Sequence, residues 1–245
     1  MGLSKVIDHA RKGDLVKVAR TKLRHMTVGN KGAGDTYYGD QAAAYEENRV
    51  GKKYWDDQQK VAKELLESLP DGLSVLDVPF GTGRFVDAYN RKNMQVSGLE
   101  ISEEMIASAK KLRGDAMDGY DVRVGDARKL PWDENSFDLV MSFRFLSEII
   151  SVADARTAMS EMARVTRDKA ILDLGIRDPD LPPLRRLPRD TERSGVAFNE
   201  PQMREMLRDA GFEIESMTRE YASGEGHRYA VVCTKIDWSA LSGRD

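Results

Sequence analysis

The chain has few of the side chains that form disulfide bonds or bind transition metals. Among its 245 residues there are one cysteine, Cys233, and three histidines. A single cysteine excludes an intrachain disulfide bond and favours a reducing compartment over secretion. The histidines His9, His25 and His227 are widely separated along the sequence, so they predict no metal site.

Long apolar runs and a large net charge are also missing. No segment approaches the ~20 consecutive apolar residues of a membrane-spanning helix, and the N-terminal residues lack the apolar centre of a signal peptide. The formal net charge of −3 gives no general reason to expect nucleic-acid binding. We therefore expect a soluble, cytoplasmic protein without a stable nucleic-acid partner.

Positive charge is concentrated at the N-terminus. Residues 1–31 contain eight basic and two acidic residues. Apolar residues recur there at three- and four-residue steps, which predicts two short amphipathic helices. These helices could pack on the rest of the chain, join two copies in a homodimer or lie on an anionic membrane surface. The lack of Trp and Phe in this segment disfavours the membrane.

From residue 73 onward, the spacing of apolar residues predicts strands that alternate with helices, and hence a parallel sheet. The last two strands are separated only by a glycine-rich turn, so they must pair antiparallel. The predicted strands are 73–78, 95–99, 120–124, 137–142, 169–174, 212–220 and 228–235. The predicted helices, including two that precede the sheet, are 41–47, 54–69, 82–91, 102–113, 152–166 and 200–210.

Glycines or acidic residues stand at the ends of the first three strands. Gly81 and Gly83 follow the first strand, beside the predicted start of a helix near Thr82. Glycines let a ligand approach the backbone closely, and the first turn of a helix offers unpaired N–H groups. Glu100 ends the second strand and Asp126 follows the third. Because the carboxyl ends of parallel strands meet at one edge, we expect these groups to line one crevice.

A carboxylate at the end of the second strand suits hydrogen bonding to the two hydroxyl groups of a ribose. The same region also has a structural interpretation, in which Ser102 caps the helix that follows Glu100. The two interpretations are compatible.

In these motifs the sequence resembles class I S-adenosylmethionine-dependent methyltransferases, particularly the branch that acts on small molecules. The resemblance covers roughly residues 40–235, and its matching segments are 75–83, 98–102, 125–131, 136–140, 161–165 and 210–212. It implies an α/β fold with a Rossmann-like seven-stranded sheet, mostly parallel with a C-terminal antiparallel hairpin and with helices on both faces. It also implies S-adenosylmethionine as the cofactor.

The resemblance and the composition together suggest a division of the chain. We expect a basic helical appendage with a linker at 1–35, lid helices at 36–72 and a methyltransferase core at 73–237. Within the core, a proline-rich insertion at 177–198 would cover the acceptor, and residues 238–245 would form a tail.

The resemblance assigns cofactor contacts to particular residues. It implies that Asp77 positions the methionine part, Glu100 binds the ribose, Ile101 packs on the adenine and Asp126 accepts a hydrogen bond from the adenine amino group. The whole set of expected cofactor contacts is Asp77, Pro79, Gly81, Thr82, Gly83, Glu100, Ile101, Met105, Asp126, Ala127, Ser142 and Phe143. Ser142 and Phe143 would border the sulfonium. Many family members have glycine where this chain has Pro79, which removes a backbone donor.

The expected catalytic residues are Arg144, Glu148 and Tyr38, and the expected acceptor contacts are Tyr45, Arg49 and Arg185. Arg144 follows the fourth strand and could bind a carboxylate or phosphate in bidentate fashion. Together with the arginines near Arg185 it favours an anionic acceptor. Many relatives have histidine in the segment after the fourth strand, whereas this chain has Ser147 and Glu148, so no histidine base is assumed.

These features predict an enzyme that transfers a methyl group to a small-molecule or lipid-like acceptor by in-line displacement. Such a reaction needs alignment and exclusion of water more than a covalent intermediate. Two alternatives stay open. The acceptor could be a macromolecule, namely RNA, protein or membrane lipid, or the chain could be a regulatory subunit that binds the cofactor without transferring a methyl group.

Overall fold

The computed structural model describes residues 44–146, 151–178, 198–223 and 226–238. These residues form seven strands and five α-helices. The strands are β1 (Ser74–Asp77), β2 (Gln95–Glu100), β3 (Asp121–Val124), β4 (Phe137–Ser142), β5 (Thr166–Arg177), β6 (Phe212–Ser223) and β7 (Gly226–Lys235). The helices are α1 (Lys53–Glu67), α2 (Val86–Arg91), α3 (Glu103–Arg113), α4 (Val152–Val165) and α5 (Glu200–Ala210), with a short 3₁₀ helix at Gly114–Met117.

The strands make one sheet in the order β3-β2-β1-β4-β5-β7-β6. Only β7 runs against the others, pairing antiparallel with β5 on one side and β6 on the other. The predicted Rossmann-like α/β sheet with its terminal hairpin is therefore confirmed. The chain leaves β1 toward β2 on one side and later returns to β4 on the other. Open α/β sheets bind ligands at this kind of reversal, outside the carboxyl ends of the strands.

Alternate residues of the central strands enter two separate cores, one on each face of the sheet. Leu76 and Val140 belong to the core that α4 and α5 cover, whereas Val75 and Leu139 belong to the core that α1 and α2 cover. Because successive side chains of a strand point to opposite faces, a stretch of strand buried on both sides is mainly apolar. This explains the apolar pair Val75–Leu76 in β1 and the apolar run Leu139–Met141 in β4.

Local signals set the helix ends. The Ser102 side chain accepts a hydrogen bond from the backbone N–H of Met105 at 3.2 Å, which confirms the predicted cap of α3. Asn199 and Gln202 form a reciprocal capping box at the start of α5. Gly211 ends that helix with a left-handed φ of 105°.

Several boundaries differ from the sequence-based ones, and three of the differences have a clear local cause. The second helix begins at Val86 rather than near Thr82, because residues 81–85 form turns. The prediction that a helix N-terminus lies directly at the glycines was therefore wrong. Residues 44–50 also form hydrogen-bonded turns rather than the predicted regular helix. β5 begins at Thr166, directly after α4, and is longer than predicted because its long pairing with β7 continues to Arg177.

None of the helices in the described ranges is long and apolar enough to span a bilayer. The same part of the chain contains no group of His, Cys, Asp and Glu side chains that could hold a metal ion. The basic segment 1–31, most of the insertion 177–198 and most of the tail lie outside the described residues. The proposed division of the chain stays a prediction.

Candidate functional site

The glycine turn after β1 holds the carboxylate of Glu100. The backbone N–H of Gly81 donates to one oxygen of Glu100 at 3.0 Å, and the N–H of Ser102 donates to the other at 3.1 Å. Burial raises the pKa of Glu100 above its ordinary value, and these N–H donors oppose the rise. The end of β2 and the turn after β1 thus meet at one buried acidic group, as the sequence predicted.

The two glycines of the turn have different reasons for lacking a side chain. Both have left-handed φ angles, +57° at Gly81 and +66° at Gly83. A Cβ at Gly83 would lie 3.0 Å from Val86 and 3.1 Å from the Phe80 ring, so tight packing disfavours a side chain there. A Cβ at Gly81 would meet only the flexible end of Met105, at 3.7 Å. Gly81 is therefore the glycine with room beside it.

Pro79 removes one backbone donor without disrupting the turn. The N–H of Val78 donates to the carbonyl of Met141 at 2.9 Å, and the N–H of Phe80 donates to the carbonyl of Leu99 at 2.8 Å. The residues on both sides of Pro79 are thereby fixed to β4 and β2. The turn is therefore held by its neighbours although Pro79 itself donates no backbone hydrogen bond.

Asp77 ends β1 in a buried position. The Tyr89 hydroxyl donates to its carboxyl group at 3.0 Å. Burial raises the pKa of Asp77 to about 8, although Tyr89 and the positive charge of Arg84 act in the opposite direction. The carboxyl group is consequently mostly protonated at neutral pH, and a cationic ligand group nearby would favour its ionised form.

Asp126, after β3, is bound by an arginine. The Arg128 Nε donates to one oxygen at 3.0 Å and Nη2 donates to the other at 2.6 Å, while Nη1 donates to Asp154 at 2.8 Å. Burial alone would raise the pKa of Asp126, but the hydrogen bonds from Arg128 lower it below the ordinary value. A carboxylate has about four lone-pair directions. The backbone N–H of Arg128 also donates to Oδ1, at 2.9 Å, so Arg128 already occupies most of these directions in the ligand-free protein.

Other expected cofactor contacts lie at the same edge of the sheet. Ile101, directly after β2, is 40% exposed. Ala127 is buried beside Asp126. Ser142, at the end of β4, is 1% exposed, and its Oγ has no hydrogen-bond partner within the described part of the chain. Phe143 packs edge-to-face on Phe85, with ring centroids 5.0 Å apart.

These side chains fit S-adenosylmethionine. Glu100 offers acceptors for two hydroxyl groups, Ile101 an apolar surface for a flat ring, and Asp126 an acceptor for an amino group. The buried and unpartnered Oγ of Ser142 is a group that a ligand could satisfy, because native proteins rarely leave such atoms without a partner.

The other half of the sheet carries buried charges that the sequence analysis missed. Asp173 on β5 and Arg228 on β7 form an ion pair, with Arg228 Nε 2.9 Å from Asp173 Oδ1 and side-chain exposures of 0% and 1%. Glu220 lies on the next strand, β6, and is 7% exposed. Charged residues inside apolar strands were a signal for such a pair, because buried charges require partners.

Arg144 is fixed by this pair. Its φ is +57°, and its backbone N–H donates to Asp173 at 2.8 Å. Its guanidinium reaches the Tyr221 hydroxyl at 3.3 Å and lies 5.4 Å from the centre of the Tyr54 ring. The structure thus places Arg144 at the carboxyl edge, between α1 and β6.

The segment 44–50 is joined to the glycine turn. The Thr82 hydroxyl donates to Glu46 at 2.7 Å, and the Arg113 guanidinium forms an ion pair with the same carboxylate. Arg113 also donates to the carbonyl of Thr82 at 3.0 Å. Within the segment, the guanidinium of Arg49 lies 3.8 Å from the centre of the Tyr45 ring. The segment that contains the expected acceptor contacts Tyr45 and Arg49 is therefore joined, through Glu46, to Thr82 of the glycine turn.

A second connection runs from the turn to β6. Arg84 Nη1 donates to Gln58 Oε1 at 2.8 Å, and Gln58 Nε2 donates to Glu220 Oε2 at 3.0 Å. Burial, followed by the negative charge of Asp173, raises the pKa of Glu220 to about 8. Burial also lowers the pKa of Arg84 to about 10, which leaves the guanidinium protonated at neutral pH. Neither Gln58 nor Glu220 was expected at the site.

Three expected residues, Tyr38, Glu148 and Arg185, lie outside the described residues. Cys233 is buried in β7, and burial raises the pKa of its thiol to about 12. The thiol is therefore unreactive at neutral pH. Met159 and Met162 of α4 are buried in the core that α4 and α5 cover.

Comparison with known proteins gives consistent matches. The methyltransferase domain family matches residues 76–172. The O-methyltransferase resE of Aspergillus sclerotiorum is 30% identical over 185 residues, which cover 67% of this chain and 69% of that protein. A demethylmenaquinone methyltransferase of Renibacterium salmoninarum is 37% identical over a shorter stretch that covers 39% of this chain and 38% of that protein.

Among solved structures, magnesium protoporphyrin IX methyltransferase from Synechocystis PCC 6803 with bound S-adenosylhomocysteine is similar in fold. Its TM-score is 0.64 at 14% identity, and the match covers 83% of this chain and 98% of that chain. At this level of identity the likeness concerns the fold alone.

Proposed function

We propose, from the premise that this chain belongs to the class I S-adenosylmethionine-dependent methyltransferases, that it methylates a small-molecule acceptor at the carboxyl edge of its sheet. The chain is thus an enzyme and S-adenosylmethionine is its cofactor. The proposal concerns the nature of the acceptor and the residues that act on it. Relatives named for O-methyl transfer and for demethylmenaquinone support a small molecule.

The buried carboxylate of Glu100 is the main observation that supports the proposed cofactor contacts. It stands where the glycine turn, β2 and the start of α3 meet, and two backbone N–H groups hold it in place. We propose that Glu100 accepts hydrogen bonds from the ribose hydroxyls and that Asp126 and Ile101 hold the adenine. Asp77 would then face the methionine part, with Ser142 and Phe143 beside the sulfur.

When bound, the cofactor supplies an electrophilic methyl group on a positively charged sulfur, so the leaving group is already activated. The chain's own task is to align the acceptor and to exclude water, which contributes through proximity. We propose that Arg144, Tyr54 and Tyr221 orient the acceptor at the end of β4. Residues 36–72 would act as the lid, fastened through Glu46 to the glycine turn.

Arg144 supports an acceptor with an acidic group. Its backbone is fixed by the contact with Asp173, and its guanidinium is oriented by the Tyr221 hydroxyl, 3.3 Å away, and the Tyr54 ring, 5.4 Å away. A guanidinium oriented in this way presents paired donors that suit a carboxylate or phosphate.

The direct test is to incubate the protein with methyl-labelled S-adenosylmethionine and a fractionated cell extract. We expect label in the small-molecule fraction, and much less label with Glu100→Ala when the cofactor concentration is kept below saturation. Label in RNA, protein or phospholipid would contradict the small-molecule acceptor. Tight cofactor binding without label in any fraction would instead favour a regulatory subunit.

A further inference from the structure

Arg84 presents a hydrogen-bonding edge that no described residue uses. Its Nη1 donates to Gln58, but Nε and Nη2 are buried and have no hydrogen-bond partner within the described ranges. In a guanidinium, Nε–H and Nη2–H lie side by side and point the same way. This edge is the one that binds a carboxylate with two parallel hydrogen bonds.

The surroundings of Arg84 hold its guanidinium in one orientation. Its central carbon lies 3.8 Å from the centre of the Trp55 ring and 4.9 Å from that of Phe85. Gln58 is fully buried, and its amide bonds Arg84 at one end and Glu220 at the other. Because the guanidinium of Arg84 can only donate, the amide has to present its oxygen to Arg84 and its NH2 group to Glu220.

The groups around Arg84 carry charges of both signs, but none of them occupies its free edge. Within the described part of the chain, Arg84 forms no ion pair with a carboxylate. Burial lowers the pKa of Arg84 and the positive charge of Arg144 adds to this, whereas Tyr45, Asp173 and Glu220 act in the opposite direction. Asp173 is already paired with Arg228. A buried cation with two unmade hydrogen bonds is costly, and an anionic partner would remove that cost.

We propose that the Nε–Nη2 edge of Arg84 binds the carboxylate group of a ligand, in a subsite bounded by the glycine turn, Trp55 of α1 and the Gln58–Glu220 pair. This inference rests on the proposed function, because the subsite adjoins the predicted cofactor contacts. The carboxylate can come from two sources, the amino-acid end of the cofactor or the acceptor.

The first experiment removes the carboxylate from the ligand. S-adenosylhomocysteine and its decarboxylated analogue are titrated calorimetrically into the wild-type protein and into Arg84→Met. If the cofactor is the source, the wild type binds the analogue about 10- to 100-fold more weakly, as expected for charge-assisted hydrogen bonds. In Arg84→Met that ratio falls to about 1, while affinity for the analogue is unchanged, which also shows that the variant is folded.

Two further variants separate the effect of the paired donors of Arg84 from that of its charge and from that of a surface arginine. Arg84→Lys keeps the positive charge but not the paired donors, so an intermediate ratio is expected. Arg91→Met removes an exposed arginine that pairs with Glu67 at the surface, and it should keep the wild-type ratio.

The second experiment tests the acceptor as the source. Benzoate is titrated into protein saturated with S-adenosylhomocysteine. Binding to the wild type that Arg84→Met abolishes supports an acceptor carboxylate. The inference is overturned if the wild type and Arg84→Met show the same ratio for the two cofactor compounds and the same response to benzoate. Failure of the folded wild type to bind either cofactor compound would instead contradict the proposed function together with this inference.

Discussion

The two halves of the sheet use polar groups in different ways. On the side of β1 to β3, the acidic groups stand at strand ends and bind residues close by in the sequence, as Glu100 binds Ser102 and Asp126 binds Arg128. On the side of β4 to β7, the charges lie within long strands and bind distant residues, as Asp173 binds Arg228. The first arrangement leaves acceptors available to a ligand, whereas the second mainly pairs charges within the protein.

Burial of a charged side chain therefore does not by itself indicate a contact with a ligand. Asp173 and Arg228 satisfy each other, and their role is to fix Arg144 at the edge of the sheet. Glu100 is equally buried, but it is held only by backbone N–H groups. Variants of the two halves should therefore separate into effects on stability and effects on binding.

The largest effect is expected from Arg228→Met. Removing one partner of a buried ion pair leaves the Asp173 charge uncompensated, which costs about 3–5 kcal/mol of unfolding free energy. Urea denaturation measures this loss. Asp173→Leu combined with Arg228→Met should recover part of it, because neither charge is then left alone. A loss of unfolding free energy below ~1 kcal/mol for Arg228→Met would contradict the structural role of this ion pair.

Glu100→Ala should have its main effect on binding. Loss of hydrogen bonds from two hydroxyl groups to a carboxylate is expected to weaken S-adenosylhomocysteine binding about 100-fold, or about 3 kcal/mol. Titration calorimetry measures the affinity. Glu103→Ala, which removes an exposed carboxylate at the start of α3, is the matched control and should bind as the wild type does. Equal weakening by both variants would contradict the role of Glu100.

Glu220→Gln should change the pH dependence of stability. The pKa of Glu220 is raised to about 8 in the folded protein, from an ordinary value of 4.5. Its contribution to stability is thus complete below about pH 4.5 and is lost as the pH rises through about 8. The amide does not titrate and can still accept the hydrogen bond from Gln58.

The variant should therefore match the wild type at pH 5 and be more stable at pH 8, by on the order of 2 kcal/mol or about 4–8 °C in the unfolding midpoint. Thermal unfolding at the two pH values measures this difference. Asp77 titrates in both proteins, so its contribution cancels in the comparison. A constant difference at both pH values would show that Glu220 does not take up a proton on folding.

Ser142→Ala should have the smallest effect on the ligand-free protein. Since the Oγ has no hydrogen-bond partner in the described residues, its removal should change the unfolding free energy by no more than about 0.5 kcal/mol. Ser102→Ala is the matched control, because it removes a helix cap and should cost about 1 kcal/mol. A larger loss of unfolding free energy for Ser142→Ala than for Ser102→Ala would show that the Ser142 hydroxyl is the one that makes the stabilising hydrogen bond.

The sequence predicted the cofactor half better than the acceptor half for a physical reason. Gly81, Glu100 and Asp126 stand in short local motifs at strand ends, where residue type and position are closely related. The pairing of Asp173 with Arg228 depends on the antiparallel register of β5 and β7, which residue spacing does not give. The contact of Gln58 with Glu220 likewise depends on the packing of α1 against β6.

The start of α2 likewise depends on tertiary packing that residue spacing does not reveal. The apolar spacing of residues 82–91 is helical, but the left-handed φ of Gly83 and its packing against Phe80 keep residues 81–85 in turns. Gly83 can be read from the sequence, but its packing against Phe80 is known only from the folded structure. Tertiary packing therefore decided where the helix could begin.

The most direct measurement is a crystal structure of the protein with S-adenosylhomocysteine bound. The account predicts the ribose hydroxyls on the Glu100 carboxylate, the adenine between Ile101 and Asp126, and the sulfur beside Ser142 and Phe143. Density for the compound at any other place, with Glu100 still bound only to the backbone of Gly81 and Ser102, would contradict it.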